Sequence, residues 1–486
     1  MGEKNMDQTT SFKDRFAAAL SMLEAIGQGH VLSFYNTLDP VSKDKLLDQI
    51  ESVDWEEIAR LIQTHVLTEP KVKLSQNIEP APYYPNQPDE SLHKKFHKAE
   101  ELGAKLIKGG RVAVFIVAGG QGTRLGWSGP KGTFACTPIR EKTLFDCFAE
   151  YIRNMQKKYS CEIPLYIMTS PLNHKETVNY FQTHSHLGLD PANVMCFPQQ
   201  LIPSIDKETG KVLMSAVDSI ALSPNGHGGS LKALYTSGAL HDMRERGIKH
   251  ISYIQVDNPL VKVVDPLFVG LHAIDNAEMS SKMLEKRDPF ERVGNFCKVD
   301  GKVSVIEYSD MPDELAVQKA DDGELKYRSG SIAIHMIAVD FIERLNKGHF
   351  QLPFHRAAKT VPHINMDNMM PVNPDEPNGV KFETFVFDAL PLCESSITYQ
   401  TIREEEFAPI KNATGPGVLD TVETSKLMQS DRAGAWLEAN GVDIPRDAAG
   451  HVDAVIEISQ LTAVDPKDLE TYPLPVNVKK GARILL

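Results

Sequence analysis

The sequence predicts an α/β protein: a doubly wound, mixed, mostly parallel sheet, with a helical region ahead of it and a small α+β domain behind it. Three observations carry this reading. Between about residues 99 and 400, short apolar runs alternate with amphipathic helical patterns, the layout of a sheet crossed by helices. Residues 112–118, VAVFIVA, form an unbroken apolar run that stops in a glycine-rich loop and leads into a helical pattern. Such a run fits a strand buried on both faces, as in a parallel sheet. At 486 residues the chain is also too long for one average domain, so two or three are expected.

Taken in order, the first 98 residues read as helices. Ser11 is placed to cap one whose Phe12, Phe16, Ala19, Leu23 and Ile26 share a face. Pro40 opens a second, with Leu46, Leu47 and Ile50 inward, and Asp54 caps a third, with Ile58, Leu61, Ile62 and Val66. A proline-rich connection spans 79–90. In the 99–400 region, strands are expected at 112–118, 164–169, 194–198, 251–256 and 331–337, and helices at 143–159, 174–184, 230–246 and 266–276. Asp300-Gly301 between two β-branched runs signals a hairpin over 298–308. From 401 to 486 the pattern is a smaller domain, with a strand and then a helix capped near Asp465 within 452–470.

Composition excludes several classes. Net charge is −13, which argues against nucleic acid or an anionic membrane as partner. No apolar run reaches the ~18 residues of a membrane span, and MGEKNMDQTT at the start holds no signal-peptide core. Six scattered cysteines without a C-x-x-C predict reduced thiols and a cytoplasmic setting.

The chemistry is signalled by the loop after 112–118. Gly119, Gly120, Gly122, Gly126, Gly129 and Gly132 allow tight turns and close approach of backbone N–H groups to an anion. Arg124 and Lys131 lie among them, and a purely structural turn needs no such pair of cations. The loop is neither G-x-x-x-x-G-K-[ST] nor G-x-G-x-x-G opening into a helix. Three further stretches stand out. PNGHGGS, residues 224–230, is a glycine turn before a helix; it reads as a ligand turn or a plain N-cap. Asp257 follows a buried strand, where it suits a metal, although the residue alone favours a turn cap. Lys381 and Lys411 read first as solvated lysines.

GGQGTRLG at 119–126, followed by PKG at 130–132, resembles the signature loop of the UDP-sugar pyrophosphorylases, most nearly the UDP-N-acetylhexosamine branch. The resemblance runs from about residue 90 to 470. It implies a Rossmann-like nucleotidyltransferase core that joins UTP and a sugar 1-phosphate into a UDP-sugar and pyrophosphate. By the same resemblance, Ala118, Gly119, Gly120, Gly122 and Thr123 wrap the nucleotide, and Arg124 and Lys131 hold its outer phosphates. Gln199 in Q-x-x-x-P contacts uracil, and Gly226 lies on the nucleotide. Asp257 in VDNPLVKVVDP would hold Mg²⁺ or Mn²⁺, with Asn258 and Lys262 in the same match. Lys381 and Lys411 reach substrate phosphates, Lys411 through closure of the C-terminal region. Gly294 and Glu307 contact sugar hydroxyls. His227 and Ser331 occupy sugar-facing positions where the N-acetylhexosamine enzymes carry Asn.

The phosphate and uracil positions thus follow the family, while two sugar positions depart from it. The implied product is UDP-N-acetylglucosamine, with a UTP–glucose-1-phosphate uridylyltransferase or a broad UDP-sugar pyrophosphorylase as the alternative. Two other classes remain at this point. A dehydrogenase would use an acidic residue about 20 positions past the loop, and Glu141 is near that spacing. A non-catalytic sugar-nucleotide binder would keep the pocket without Arg124, Lys131 or Asp257. UTP and a sugar 1-phosphate are the expected partners, with neither nucleic acid nor membrane, in a monomer or homodimer.

Overall fold

The computed structural model describes residues 4–68, 75–347 and 352–486. Two compact units emerge, each assembled from separated segments. The smaller comprises Met1–Leu74, Gln200–Gly229 and Leu352–Phe385; the larger comprises Ser75–Gln199, Ser230–Gln351 and Val386–Leu486. Cuts at 98 and 400 follow chain order, whereas these units follow contact.

In the smaller unit, helices run over Lys4–Ala25, Pro40–Glu51 and Trp55–Leu61. Asp39 and Asp54 cap the second and third, accepting from the N–H groups of Val41 at 2.9 Å and Glu57 at 3.1 Å. The first helix begins at Lys4, so Ser11 lies inside it rather than at its cap. Residues 4–10 contain no glycine or proline to stop the helix extending backward. Leu46, Leu47, Ile50, Ile58 and Leu61 pack with Ile202, Ile205, Met214, Val380 and Phe382 into one core.

The larger unit is built on a ten-stranded mixed sheet. Its strands are β1 (Ile78–Pro80), β2 (Val112–Val117), β3 (Leu165–Thr169), β4 (Val194–Pro198), β5 (His250–Gln255), β6 (Met279–Glu285), β7 (Gly294–Val299), β8 (Lys302–Ile306), β9 (Ser329–Ala338) and β10 (Ser396–Gln400). The main order is β1-β7-β9-β5-β2-β3-β4. Neighbours β5, β2, β3 and β4 run parallel, and β9 pairs antiparallel with β5. Every residue of β2 is buried, as its unbroken apolar run requires. Asp300 and Gly301, at φ 48° and 84°, make the two-residue turn between β7 and β8.

Three helical expectations change. The stretch 230–246 is two helices, Gly229–Thr236 and Ala239–Glu245, broken at Gly238, which adopts φ 83°. Near Asp465 the helix is a single 3₁₀ turn, Pro466–Leu469, with Asp465 as its cap. Finally, Glu90–Lys108 is a helix that runs through the boundary expected at 98. It meets the helix Pro266–Ile274 backbone to backbone. A Cβ on Gly103 would lie 1.8 Å from the Pro266 carbonyl oxygen, and one on Gly270 1.7 Å from that of Ala99.

A buried ion group ties the C-terminal segment to the sheet. Lys282 on β6 is wholly buried, and its ammonium donates to Glu406 at 2.6 and 2.8 Å and to Asp265 at 2.7 Å. Burial pulls the Lys282 ammonium down, but Asp265 and Glu406 outweigh it and hold it above its usual value. Replacing Lys282 with Met is expected to cost about 3–5 kcal/mol, because two buried carboxylates lose their cation. Urea unfolding checks this; a cost below about 1 kcal/mol would contradict it.

Candidate active site

The four parallel strands create the site. The chain leaves β2 toward β3 and β4 on one side and returns to β5 on the other. Strand order therefore switches between β2 and β5, and a crevice opens there at the carboxyl ends of the strands. The glycine loop leaves β2 at this point, and Asp257 leaves β5 beside it.

The loop is held by its own backbone. The N–H of Gly122 donates to the Gly129 carbonyl at 3.1 Å, and the N–H of Lys131 to that of Gly120 at 3.1 Å. Thr123–Leu125 forms a 3₁₀ turn closed by Gly126 at φ 71°. Gly132 is required sterically, since a Cβ there would lie 2.2 Å from the Phe145 ring. The Trp127 indole covers Gly122 and donates to Thr133 at 3.0 Å. Arg124 and Thr123 are exposed at the outer turn. The loop then meets the helix Leu144–Tyr159 through Thr143, which forms a capping box with Asp146.

One support was missed from the sequence. Asn173, fully buried after β3, donates from Nδ2 to the carbonyls of Ala118 at 3.0 Å and Gly120 at 3.2 Å. The only sequence signal is an Asn four residues beyond a strand end. Gln199, buried at the end of β4, brings its amide oxygen to 3.3 Å from where a Gly119 Cβ would stand. Gly119 is thus a position of close approach, and Gln199 belongs with the loop.

Lys131 reaches across the switch point, its ammonium 3.3 Å from Asp257 Oδ2. Burial raises the Asp257 carboxyl, but the charges of Lys131 and Lys411 outweigh it and hold the group below the usual carboxylate range. Lys411 is carried there by hydrogen bonds. The Ile410 N–H donates to the Asp257 carbonyl at 2.8 Å, so no closure is needed to bring Lys411 to this edge. Its ammonium stands 5.5 Å from the centre of the Phe407 ring. Asp257 is a single carboxylate, and among the described residues no three His, Cys, Asp or Glu side chains gather. A hard cation sharing one carboxylate with substrate phosphates and water fits that donor set.

Gly294, Glu307 and Ser331 also come together. Gly294 and Ser331 are register partners. A Cβ on Gly294 would meet Glu307 Oε1 at 3.2 Å and the Ser331 Cβ at 3.7 Å. Because β9 runs antiparallel to β5, Ser331 near its start lies at the same sheet edge as the carboxyl end of β5. Glu141 is exposed in the turn before the helix Leu144–Tyr159. A ribose-binding acid would stand at the end of β3 instead, so the dehydrogenase reading loses its residue.

Gly226, His227 and Lys381 belong to the smaller unit. There the glycine turn lies on the segment 383–385. The Gly228 N–H donates to the Thr384 carbonyl at 2.8 Å, and a Cβ on Gly226 would stand 2.4 Å from that oxygen. The His227 ring is 5.3 Å from Phe385, and burial together with His355 lowers its imidazole to about 4. Lys381 lies on the strand Gly379–Glu383, opposite Ala357.

This chain belongs to the family described as UTP–glucose-1-phosphate uridylyltransferase, whose model matches residues 52–431. Within it, the chain is 34% identical over 470 residues to the UDP-N-acetylglucosamine pyrophosphorylase of Saccharomyces cerevisiae, covering 94% of this chain and 97% of the yeast protein. It is 33% identical over 479 residues to the UDP-N-acetylhexosamine pyrophosphorylase-like protein 1 of Mus musculus, covering 93% and 94%. The crystal structure of the uridine diphosphate N-acetylglucosamine pyrophosphorylase from Trypanosoma brucei, in complex with an inhibitor, superposes with a TM-score of 0.81 at 26% identity, covering 97% of this chain and 98% of that one.

Proposed function

We propose that this uridylyltransferase makes UDP-N-acetylglucosamine and pyrophosphate from UTP and N-acetylglucosamine 1-phosphate. The observation that carries the reading is the glycine loop at the switch point with Lys131 set against Asp257. A phosphate oxygen of the sugar 1-phosphate attacks the α-phosphorus of UTP. The new P–O bond forms as the bond to the bridging oxygen breaks, and pyrophosphate leaves. The nucleophile is already an anion, so positioning and charge do the work and no general base is required. Arg124 and Lys131 hold the outer phosphates, with the loop backbone from Gly119 to Thr123 around them. Gln199 reads uracil beside Gly119, with Ala118 at its back and Gly226 on the nucleotide by resemblance. Lys381 and Lys411 offset charge on the reacting phosphates. A divalent cation, Mg²⁺ or Mn²⁺, held by Asp257 neutralises phosphate oxygens when bound. We place the enzyme in the cytoplasm as a monomer or homodimer, acting on small molecules; no described helix is long and apolar enough to cross a membrane.

The reverse reaction tests the reading. UDP-N-acetylglucosamine with pyrophosphate should yield UTP, since one phosphoanhydride replaces another; absence of UTP formation with metal present would contradict it.

Sugar choice rests on Gly294, Glu307, Ser331 and His227. Ser331 is smaller than the Asn of the N-acetylhexosamine enzymes, and His227 is larger. Glucose 1-phosphate is therefore the expected competitor. Introducing His227→Asn and Ser331→Asn together should shift the kcat/KM ratio toward the N-acetyl sugar by about 1 kcal/mol or more. An unchanged ratio would remove both residues from sugar reading. With its imidazole near 4, His227 is neutral at ordinary pH. The ratio should accordingly be flat between about pH 5.5 and 8.5.

A further inference from the structure

We propose that Asn258 is a positioning residue that sets Lys411 against Asp257 by clamping the chain at 406–408. The inference rests on the role given to Lys411 above. Asn258 is buried directly after Asp257. Its Nδ2 donates to the Glu406 carbonyl at 2.7 Å, and its Oδ1 accepts from the Ala408 N–H at 3.0 Å. The same Oδ1 accepts from the Leu260 N–H at 3.3 Å. With its Oδ1 and one Nδ2 hydrogen engaged by backbone, Asn258 is placed to serve the site through another residue.

The clamp is one side of a vice. Across the segment, the Ser425 hydroxyl, buried on the helix Val422–Ala439, donates to the Ala408 carbonyl at 2.8 Å. The Glu406 side chain is fixed by Lys282, by the Thr401 hydroxyl at 2.6 Å and by the Lys262 N–H at 3.1 Å. Ala408 is therefore held at both its N–H and its carbonyl, two residues before the Ile410 bond to Asp257. Lys411 follows immediately, and its own N–H donates to the Asp420 carbonyl at 2.7 Å. Asp257 and Asn258 thus divide the work. One presents its carboxylate to the crevice, and its neighbour ties the lysine-bearing segment to the same turn.

A double-mutant cycle tests this. Asn258→Ala should lower kcat about 10- to 100-fold, as for a charge misplaced by about 1 Å, with the KM for UTP nearly unchanged. Combined with Lys411→Ala, it should add no further loss, because the clamp acts only through that lysine. Hydrogen exchange should quicken at the amides of Ala408 and Ile410. The proposal fails if folded Asn258→Ala keeps the wild-type kcat, or if the losses of Asn258→Ala and Lys411→Ala multiply. A wild-type kcat for Lys411→Ala would overturn the role of the lysine and the clamp together, whereas the first two outcomes overturn the clamp alone. Should Asn258→Ala not fold, Ser425→Ala loosens Ala408 from the other side, and the same cycle decides. A smaller loss that vanishes in the Lys411→Ala background supports the vice, and an independent or absent effect overturns it.

Discussion

Replacing Lys131 with alanine is expected to slow turnover by two or more orders of magnitude, about 3 kcal/mol in activation free energy. The loop should survive the change. Its hairpin is closed by the Lys131 main chain, through the N–H bond to Gly120, and alanine keeps that bond. The ion pair with Asp257 is mostly buried, its side chains 15% and 19% exposed, but Lys411 also offsets the carboxylate, so removing Lys131 does not leave that charge without a cation. A large loss of rate with a small loss of stability is therefore the signature. Steady-state turnover alongside a thermal melt separates the two. A folded variant with a near-normal rate would put Lys131 outside the chemistry. Arginine should rescue poorly, because the site calls for a compact point charge at a fixed depth.

Asp257→Asn should cost at least about 100-fold in rate at a fixed ~1 mM Mg²⁺, and should raise the metal concentration needed for half-activity. The substitution preserves shape, and the main-chain carbonyl still accepts from Ile410. It removes the charge that Lys131 and Lys411 hold ionised. Because this carboxyl is held below its ordinary value, it is fully ionised above the usual carboxylate range and gains its proton only as pH falls through the lowered value. Metal activation should therefore not titrate between about pH 5 and 8 through this group. Full activity of the wild type in excess chelator would contradict the metal role outright.

The parts of this molecule that the sequence declares are those whose physics is local. Val112–Val117 has no polar residue to offer solvent, so its burial was legible. The Asp300-Gly301 turn, the helix start at Pro40 and the Asp54 cap are set by a few neighbouring atoms. The helix Val422–Ala439 left no periodic signal, because it turns Ser425, Ser430 and Gly434 inward with Trp436 and Leu437. Glu90–Lys108 differs: its inward residues Phe96, Ala99, Gly103 and Ile107 do have helical spacing, and the boundary expected at 98 divides them. At the site, the cations of the loop were readable from their company among glycines. Strand order was not, and with it went Asn173 and the meaning of Asn258. Each has partners 50 or more positions away along the chain, a relation that no local pattern encodes.

The central claim is that this crevice joins UTP to a sugar 1-phosphate. The direct measurement is pyrophosphate released when UTP and Mg²⁺ are mixed with a panel of glucose, N-acetylglucosamine and N-acetylgalactosamine 1-phosphates. The account predicts release matched mole for mole by UDP-sugar, fastest with N-acetylglucosamine 1-phosphate and measurable with glucose 1-phosphate. Folded protein that releases no pyrophosphate with any of the three would contradict it.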